Sequence, residues 1–117
     1  MDDEQPILEL LRDTLEEEGY VVVTARNGND ALRAALQHRI DLVLTDYMMP
    51  QMDGVHLSRQ LRAHPQTANV PVIIMSAVNV PDDSSFNKII RKPFNLVDVL
   101  LYVEYYLSSG ASPDGGM

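Results

Sequence analysis

Hydrophobic and polar positions along this chain follow two periods, which alternate several times. Apolar residues recur at helical spacing in four stretches, and short runs of aliphatic and β-branched residues lie between them. The first pattern is typical of helices with one buried face, and the second is typical of buried strands. Helices and strands alternating in this way predict an α/β fold, a doubly wound parallel sheet with helices on both faces.

The predicted helices have recognisable end signals. Pro6 suits the first turn of the first helix, and Gly19 suits its end. The second helix contains residues 31–36, after a predicted turn at residues 27–29, and the third spans residues 55–63. Asn95 is the predicted cap of the last helix, which runs to residue 107. The predicted inner side of that helix consists of Leu96, Val97, Leu100, Leu101 and Leu107.

The predicted strands are short and apolar, and they occupy residues 20–25, 40–45, 70–75 and 88–91. The third of these is apolar throughout, which is typical of a strand buried on both faces of a sheet. Residues 79–87 are polar and rich in turn formers, so they leave room for about one helical turn.

Composition narrows the class of protein. The chain has 117 residues, of which 45% are hydrophobic, enough for one domain with one core. It has no cysteine, no apolar run that could span a membrane and no signal peptide, which favours a cytoplasmic protein with no membrane partner. Its net charge is −8, so we expect no direct binding of nucleic acid. We expect one domain over residues 1–107 and a flexible tail or linker over residues 108–117.

Polar residues stand where three successive predicted strands end. Asp46, Ser76 and Lys92 occupy these positions, and an acidic pair, Asp2 and Asp3, precedes the first helix. Because parallel strands end at one edge of a sheet, we expect these side chains to converge there.

Such a cluster suits phosphoryl chemistry. Adjacent carboxylates raise one another's pKa, and a hard cation such as Mg²⁺ removes that conflict. A carboxylate held in this way is a plausible nucleophile toward phosphorus. Lys92 and the metal would neutralise the phosphoryl oxygens, and the Ser76 hydroxyl would donate to one of them.

The motifs that carry these residues fall in a familiar order. They are Asp2-Asp3-Glu4, Asp46-Tyr47-Met48-Met49-Pro50, Met52-Asp53-Gly54, Ile73-Ile74-Met75-Ser76-Ala77 and Lys92-Pro93-Phe94. With them the chain resembles a two-component response regulator receiver domain of the CheY-like type, over nearly its whole length to residue 107.

The resemblance implies a role for each matching residue. Asp46 matches the phosphoacceptor, Ser76 the switch hydroxyl and Lys92 the lysine that pairs with the phosphoryl group. The implied Mg²⁺ ligands are Asp3 directly, Asp2 through metal-bound water, Asp46, and the backbone carbonyl of Met48. The implied activity is self-phosphorylation from a histidine kinase or phosphotransfer protein, followed by a conformational change and slow dephosphorylation. No other enzymatic turnover is implied.

The family fold is a five-stranded parallel sheet of order 2-1-3-4-5 with five helices, and three features here differ from it. No apolar strand precedes Asp2 within this sequence, so we expect strand 1 to be missing or supplied by rearrangement. A homodimer formed by strand exchange or edge pairing is one such rearrangement. The interval from Ser76 to Lys92 is short, which predicts a shortened or absent fourth helix. Ile89 replaces the usual aromatic switch residue.

Other interpretations of the same residues stay open. The chain could be a degenerate receiver that binds partners without phosphate control. A phosphatase resembling haloacid dehalogenases would also use a strand-end aspartate, but it needs a second acid where Met48 stands. Asp2 and Asp3 could simply favour the helix dipole. The three tyrosines of the last helix predict either a partner-binding face or ordinary packing, and they are Tyr102, Tyr105 and Tyr106.

Overall fold

The computed structural model describes residues 5–23, 25, 27–48 and 52–108, with the backbone alone for residues 5–8 and 108. The elements in chain order are α1 (Gln5–Glu17), α2 (Gly28–Gln37), β1 (Val43–Asp46), α3 (Gly54–Ala63), β2 (Val72–Ser76), β3 (Lys88–Arg91) and α4 (Leu96–Ser108). From β1 onward, strands mostly alternate with helices, as predicted. None of the helices within these ranges has the length and apolarity needed to cross a membrane.

The described strands form one parallel sheet in the order β1-β2-β3. Val43 lies opposite Val72, and Ile73 lies opposite Lys88, so the register of both pairs is fixed. The central strand β2 is buried at every position, which confirms the prediction from its uninterrupted apolar run. This order is that of the last three strands of the predicted sheet.

Each face of the sheet carries its own core. Val72 and Ile74 of β2 join a cluster with residues of α2 and α3, whereas Ile73 and Met75 join a cluster with residues of α1 and α4. Alternate side chains of a strand point to opposite faces, so one apolar strand supplies both cores. Helices therefore cover both faces, and the predicted doubly wound architecture is confirmed.

Residues 20–25 were the predicted first strand, and this prediction is wrong for the described part, residues 20–23 and 25. They belong to no sheet ladder, and Val21 is 94% exposed. The Tyr20 N–H donates to the Leu15 carbonyl at 3.2 Å, as an extension of the end of α1. A β-branched run forms a strand only when a neighbouring strand accepts its backbone hydrogen bonds, and no described strand lies beside this one.

Two helix ends also differ in detail from their sequence-based expectation. Residues 27–29 are not a separate turn, because Asn27 caps α2 by accepting from the Asp30 N–H at 2.8 Å. Asp53 caps α3 in the same way, with its Oδ1 accepting from the His56 N–H at 2.7 Å. Gly19 has a φ of 97° and follows α1, as predicted for a left-handed helix end.

The buried residues of α4 differ in part from its predicted inner side. Val99 and Val103 are the buried positions, whereas Val97 and Leu101 are 64% and 58% exposed. The helix is apolar around much of its circumference, so hydrophobic spacing alone does not select a face. Leu96 and Leu107 do pack against the core, as predicted.

The tyrosines of α4 divide between the two predicted environments. Tyr102 and Tyr106 pack against the core, and the Tyr106 hydroxyl donates to the Asn87 carbonyl at 3.1 Å. The Lys88 ammonium lies 4.6 Å from the centre of the Tyr102 ring. Tyr105 is exposed.

Residues 77–87, here called the strap, connect β2 to β3 without any helix. This agrees with the prediction of a shortened or absent fourth helix. Val80 and Phe86 of the strap pack against the core that contains α3. Arg59 of α3 donates from its Nε to Asp83 Oδ2 at 2.7 Å. The strap is therefore held on the surface of α3.

Asp83 gives this attachment a defined pH dependence. Hydrogen bonds from Ser85, and then from Arg59, lower its pKa from the ordinary 3.8 to about 2. A carboxyl with a lowered pKa in the folded state stabilises the fold fully above its unfolded pKa. That contribution decreases as the pH falls from about 4 to about 2 and the folded-state carboxyl takes up its proton.

We expect Asp83→Asn to lower the free energy of unfolding at neutral pH and to lose this effect near pH 2. Urea unfolding of both proteins across this range measures the difference. A difference that stays constant with pH would contradict the assignment. Asp41→Asn provides a control, because Asp41 is exposed and lies outside the strap.

Candidate functional site

The carboxyl ends of the three strands lie at one edge of the sheet. Backbone hydrogen bonds between neighbouring strands continue one residue past the strand ends. The Tyr47 N–H donates to the Met75 carbonyl, and the Lys92 N–H donates to the Ser76 carbonyl, each at 2.9 Å. Asp46, the last residue of β1, lies opposite Met75 in the register. The sheet thus places Asp46, Ser76 and Lys92 at one edge, as the sequence predicts.

Asp46 and Lys92 form an ion pair at this edge. Lys92 Nζ lies 2.8 Å from Asp46 Oδ1, and the two side chains are only 19% and 15% exposed. Asp46 Oδ1 is shielded from solvent, and the Lys92 charge compensates for its burial. The contact joins the ends of the two outer strands across β2.

Lys92→Met is expected to destabilise the fold, because it leaves the Asp46 carboxylate shielded and without its cation. The expected loss is about 1–3 kcal/mol of unfolding free energy, typical of a buried polar group that loses its partner. Adding Asp46→Asn to Lys92→Met should recover most of it, since the uncompensated charge is then gone. Urea unfolding of both single variants and the double variant measures the coupling, and strictly additive effects would contradict it.

The start of α3 lies directly against the backbone of Asp46. The Gly54 N–H donates to the Tyr47 carbonyl at 2.7 Å. A Cβ at Gly54 would lie 2.7 Å from the Asp46 carbonyl oxygen, closer than real Cβ contacts, so this position requires glycine. Asp53 fixes the same turn as the cap of α3. Sequence reasoning began this helix at residue 55 and missed the Asp53 cap, although an aspartate one residue before a helix is its usual signal.

Ser76 is buried, and its hydroxyl is already engaged. The Ser76 Oγ donates to the Val78 carbonyl at 2.7 Å and accepts from the Val78 N–H at 3.0 Å. The hydroxyl is thus at the predicted edge of the sheet, but it holds the beginning of the strap.

The remaining predicted site residues lie in three different situations. Met48 follows β1 and its side chain is 69% exposed. Ile89 lies on β3, opposite Ile74 in the register, and is half-buried. Asp2 and Asp3 lie outside the described residues. Within the described ranges, no three His, Cys, Asp or Glu side chains form a group that could hold a metal ion.

A model of the family described as the response regulator receiver domain matches residues 1–104. The chain belongs to this family. It is therefore a receiver domain of a two-component system, with the CheY-like fold, and the resemblance stated from its motifs is confirmed.

Curated relatives and solved structures agree with this membership. The chain is 36% identical over 112 residues to the response regulator GtcR of Aneurinibacillus migulanus, covering 91% of this chain and 45% of that protein. It is 37% identical over 90 residues to the alkaline phosphatase synthesis transcriptional regulatory protein PhoP of Bacillus subtilis, covering 77% of this chain and 35% of that protein. The chain thus spans less than half the length of these curated relatives.

Among solved structures, the receiver resembles the signal receiver domain of a signal transduction histidine kinase from Syntrophus aciditrophicus. The TM-score is 0.79 at 34% identity, covering 88% of this chain and 83% of that one. It also resembles the receiver domain of the sensor histidine kinase PA1611 from Pseudomonas aeruginosa, whose structure has a magnesium ion in its active site cleft. That TM-score is 0.78 at 25% identity, covering 92% of this chain and 91% of that one.

Proposed function

We propose that Asp46 is the phosphoacceptor of this receiver. The observation that carries the proposal is the shielded pair of Asp46 and Lys92, which joins the carboxyl ends of the two outer strands across β2. A carboxylate in this position is a nucleophile with a cation already beside it, and the chain belongs to a family of signalling receivers.

In the proposed step, a carboxylate oxygen of Asp46 attacks the phosphorus of a phosphohistidine on a histidine kinase or phosphotransfer protein. A new P–O bond forms, the P–N bond breaks, and its electron pair stays on the imidazole nitrogen that carried the phosphoryl group. The other ring nitrogen keeps its proton, so the imidazole leaves in its neutral form. The product is an aspartyl phosphate on Asp46. The Lys92 ammonium offsets the negative charge that the transferred group brings to this edge.

We propose Mg²⁺ as the cofactor. Asp46, the Met48 carbonyl and Asp3 would supply oxygen ligands, and Asp2 would hold a metal-bound water. Oxygen donors from one or two carboxylates fit this ion, which usually keeps several waters. When bound, Mg²⁺ would supply positive charge to the phosphoryl oxygens.

Ser76 is the proposed switch. Its hydroxyl has one proton, which now goes to the Val78 carbonyl. A hydroxyl that donates to a phosphoryl oxygen on Asp46 must release that carbonyl, so phosphorylation would alter the start of the strap. Because Ile89 stands at the usual aromatic position, this route involves no aromatic ring on β3.

We also propose the bounds of the domain and the location of the protein. Residues 1–107 form the receiver and residues 108–117 a tail or linker, in a cytoplasmic protein. It has no turnover beyond its own phosphorylation and dephosphorylation. The curated relatives named above include a transcriptional regulatory protein, so a longer protein could act on DNA through another part. With a net charge of −8, the receiver itself is not proposed to bind nucleic acid.

The test is incubation with acetyl phosphate and Mg²⁺, followed by intact mass measurement and mapping of the modified peptide. We expect one added phosphoryl group on Asp46, and loss of the adduct when EDTA replaces Mg²⁺. An unmodified mass, or an adduct on another residue, would overturn the proposal.

A degenerate receiver is the second candidate, favoured by the absence of a helix between β2 and β3 and by the engagement of Ser76 with Val78. Beryllofluoride with Mg²⁺ mimics the phosphoryl group and separates the two. If the amide signals in the NMR spectrum change clearly on addition of beryllofluoride and Mg²⁺, the phosphorylated receiver is favoured. An unchanged spectrum favours the degenerate receiver.

We also propose that two copies pair through β1 or exchange the segment at residues 20–25. The register directs the backbone groups of Leu44 away from β2, and no described strand lies on that side. The exposed side chains of Val21 and Val23 lie in the unpaired segment. Light scattering at micromolar concentration should give the mass of a dimer, which Val21→Lys should weaken. A monomer at all concentrations would overturn this proposal.

A further inference from the structure

The strap is held in two different ways along its length. Its second half, residues 83–87, makes side-chain bonds to two other elements, whereas residues 77–79 are exposed. We propose that phosphorylation moves only residues 77–79, while residues 83–87 remain a fixed anchor. This inference rests on the proposed phosphorylation of Asp46. It adds that the structural change caused by phosphorylation does not extend to residues 83–87.

The anchor is joined to α3 at two adjacent positions. Ser58 and Ser85, both buried, share a short hydroxyl–hydroxyl hydrogen bond. Next to it, Asp83 accepts from Arg59 at 2.7 Å and from the Ser85 N–H at 2.8 Å. Moving this part of the strap would break a buried hydroxyl bond and an ion pair together.

The anchor is also joined to the sheet through Asn87. Its side-chain oxygen accepts from the Val72 N–H at 2.8 Å, and its own N–H donates to the Val72 carbonyl at 2.8 Å. The same oxygen accepts from Arg62 Nη2 at 2.9 Å. Arg62 in turn donates to the carbonyls of Ala68 and Val70, at 3.1 and 2.6 Å. These bonds tie the end of the strap to the loop that leads into β2.

The first part of the strap has much weaker ties. Val78 is 49% exposed and is held by the Ser76 hydroxyl, the group that the proposed switch redirects. Asn79 accepts from Arg91 at 3.1 Å, in an exposed contact. Residues 77–79 can therefore move after loss of the two Ser76–Val78 hydrogen bonds and one surface hydrogen bond.

The difference between residues 77–79 and residues 83–87 predicts which surface a partner would recognise. A response confined to residues 77–79 changes the region around Ser76, Asn79 and Arg91 at the carboxyl edge of the sheet. The surface of α3 with Arg59, and the strap residues attached to it, stays constant between the two states.

The experiment follows assigned amide signals of the full chain by NMR. In the resting protein, the Ser85 and Asn87 amides should exchange with solvent at least about tenfold more slowly than those of Ala77 and Asn79. This arm needs no phosphoryl group. Equal exchange rates in residues 77–79 and in residues 83–87 would overturn the anchor, whether or not Asp46 is the phosphoacceptor.

The second arm adds Mg²⁺ and beryllofluoride, with loading measured independently by ¹⁹F NMR. On loading, the Val78 amide should shift, while the exchange of Ser85 and Asn87 stays within about twofold. If the amide signals of residues 77–79 and of residues 83–87 shift by similar amounts in the loaded protein, the proposal is overturned. Failure to load counts against the proposed function instead, and the resting arm still decides the anchor.

A variant that releases the anchor gives an independent check. Ser58→Ala with Arg59→Gln should accelerate exchange at Ser85 by at least about tenfold without preventing modification of Asp46. Arg33→Gln is the matched control, because it removes an exposed ion pair with Asp30 on α2. Unchanged exchange at Ser85 in the double variant would contradict the anchoring role of α3.

Discussion

Asp46→Asn is expected to abolish uptake of a phosphoryl group from acetyl phosphate. The amide replaces the negatively charged oxygen that attacks phosphorus, and a neutral amide oxygen is a poor nucleophile toward it. It also removes the charge that Lys92 now pairs with at 2.8 Å. The variant keeps the size and planarity of the side chain, so the fold around Gly54 should persist. Intact mass measurement after incubation with donor and Mg²⁺ records the loss.

Asp41→Asn is the matched control for this result. Asp41 lies just before β1, at the opposite end of the strand, and is exposed. Its variant should be modified to the same extent as the parent protein. An undiminished adduct in Asp46→Asn, or an equal loss in Asp41→Asn, would exclude Asp46 as the acceptor.

Leu57→Ala is expected to cause a large loss of stability. The Leu57 side chain is fully buried in the core between α2, α3 and the sheet. Truncating such a leucine costs about 2–5 kcal/mol, through lost burial and the remaining cavity. Since small domains unfold at a cost of about 5–15 kcal/mol, this is a large fraction of the total. Urea unfolding followed by circular dichroism measures it.

Leu101→Ala makes the same chemical change where the side chain is exposed on α4. Its effect should stay within about 0.5 kcal/mol, as for most surface substitutions. Comparable losses in the two variants would contradict the assignment of Leu57 to the core. In Leu57→Ala, the modified fraction of Asp46 should fall only as the folded fraction falls, because Leu57 belongs to the core and is not one of the proposed site residues.

The most predictable parts of the molecule are those in which local pattern and tertiary packing agree. The run at residues 70–75 is apolar at every position, and the structure buries it from both faces as β2. The proximity of Asp46 and Lys92 was also predictable, because the sequence places both residues at the ends of strands that a parallel sheet must bring to one edge.

The parts that differ depend on neighbours that the sequence does not specify. The apolar character of residues 20–23 indicates a strand, but a strand also needs a partner for its backbone. On α4, several faces are apolar, and contact with β2 and β3 selects the one with Val99 and Val103. The bonding of Ser76 to Val78 is likewise a property of the loop path, which residue types do not encode individually.

The two bonds between Asn87 and Val72 have a consequence for strand alignment. They lie at the first residues of β2 and just before β3, so they select one register for this parallel pair. A slip of one residue would invert the side-chain alternation of β3 and direct Lys92 away from Asp46. An amide at the opposite end of the sheet therefore determines whether the acceptor meets its cation.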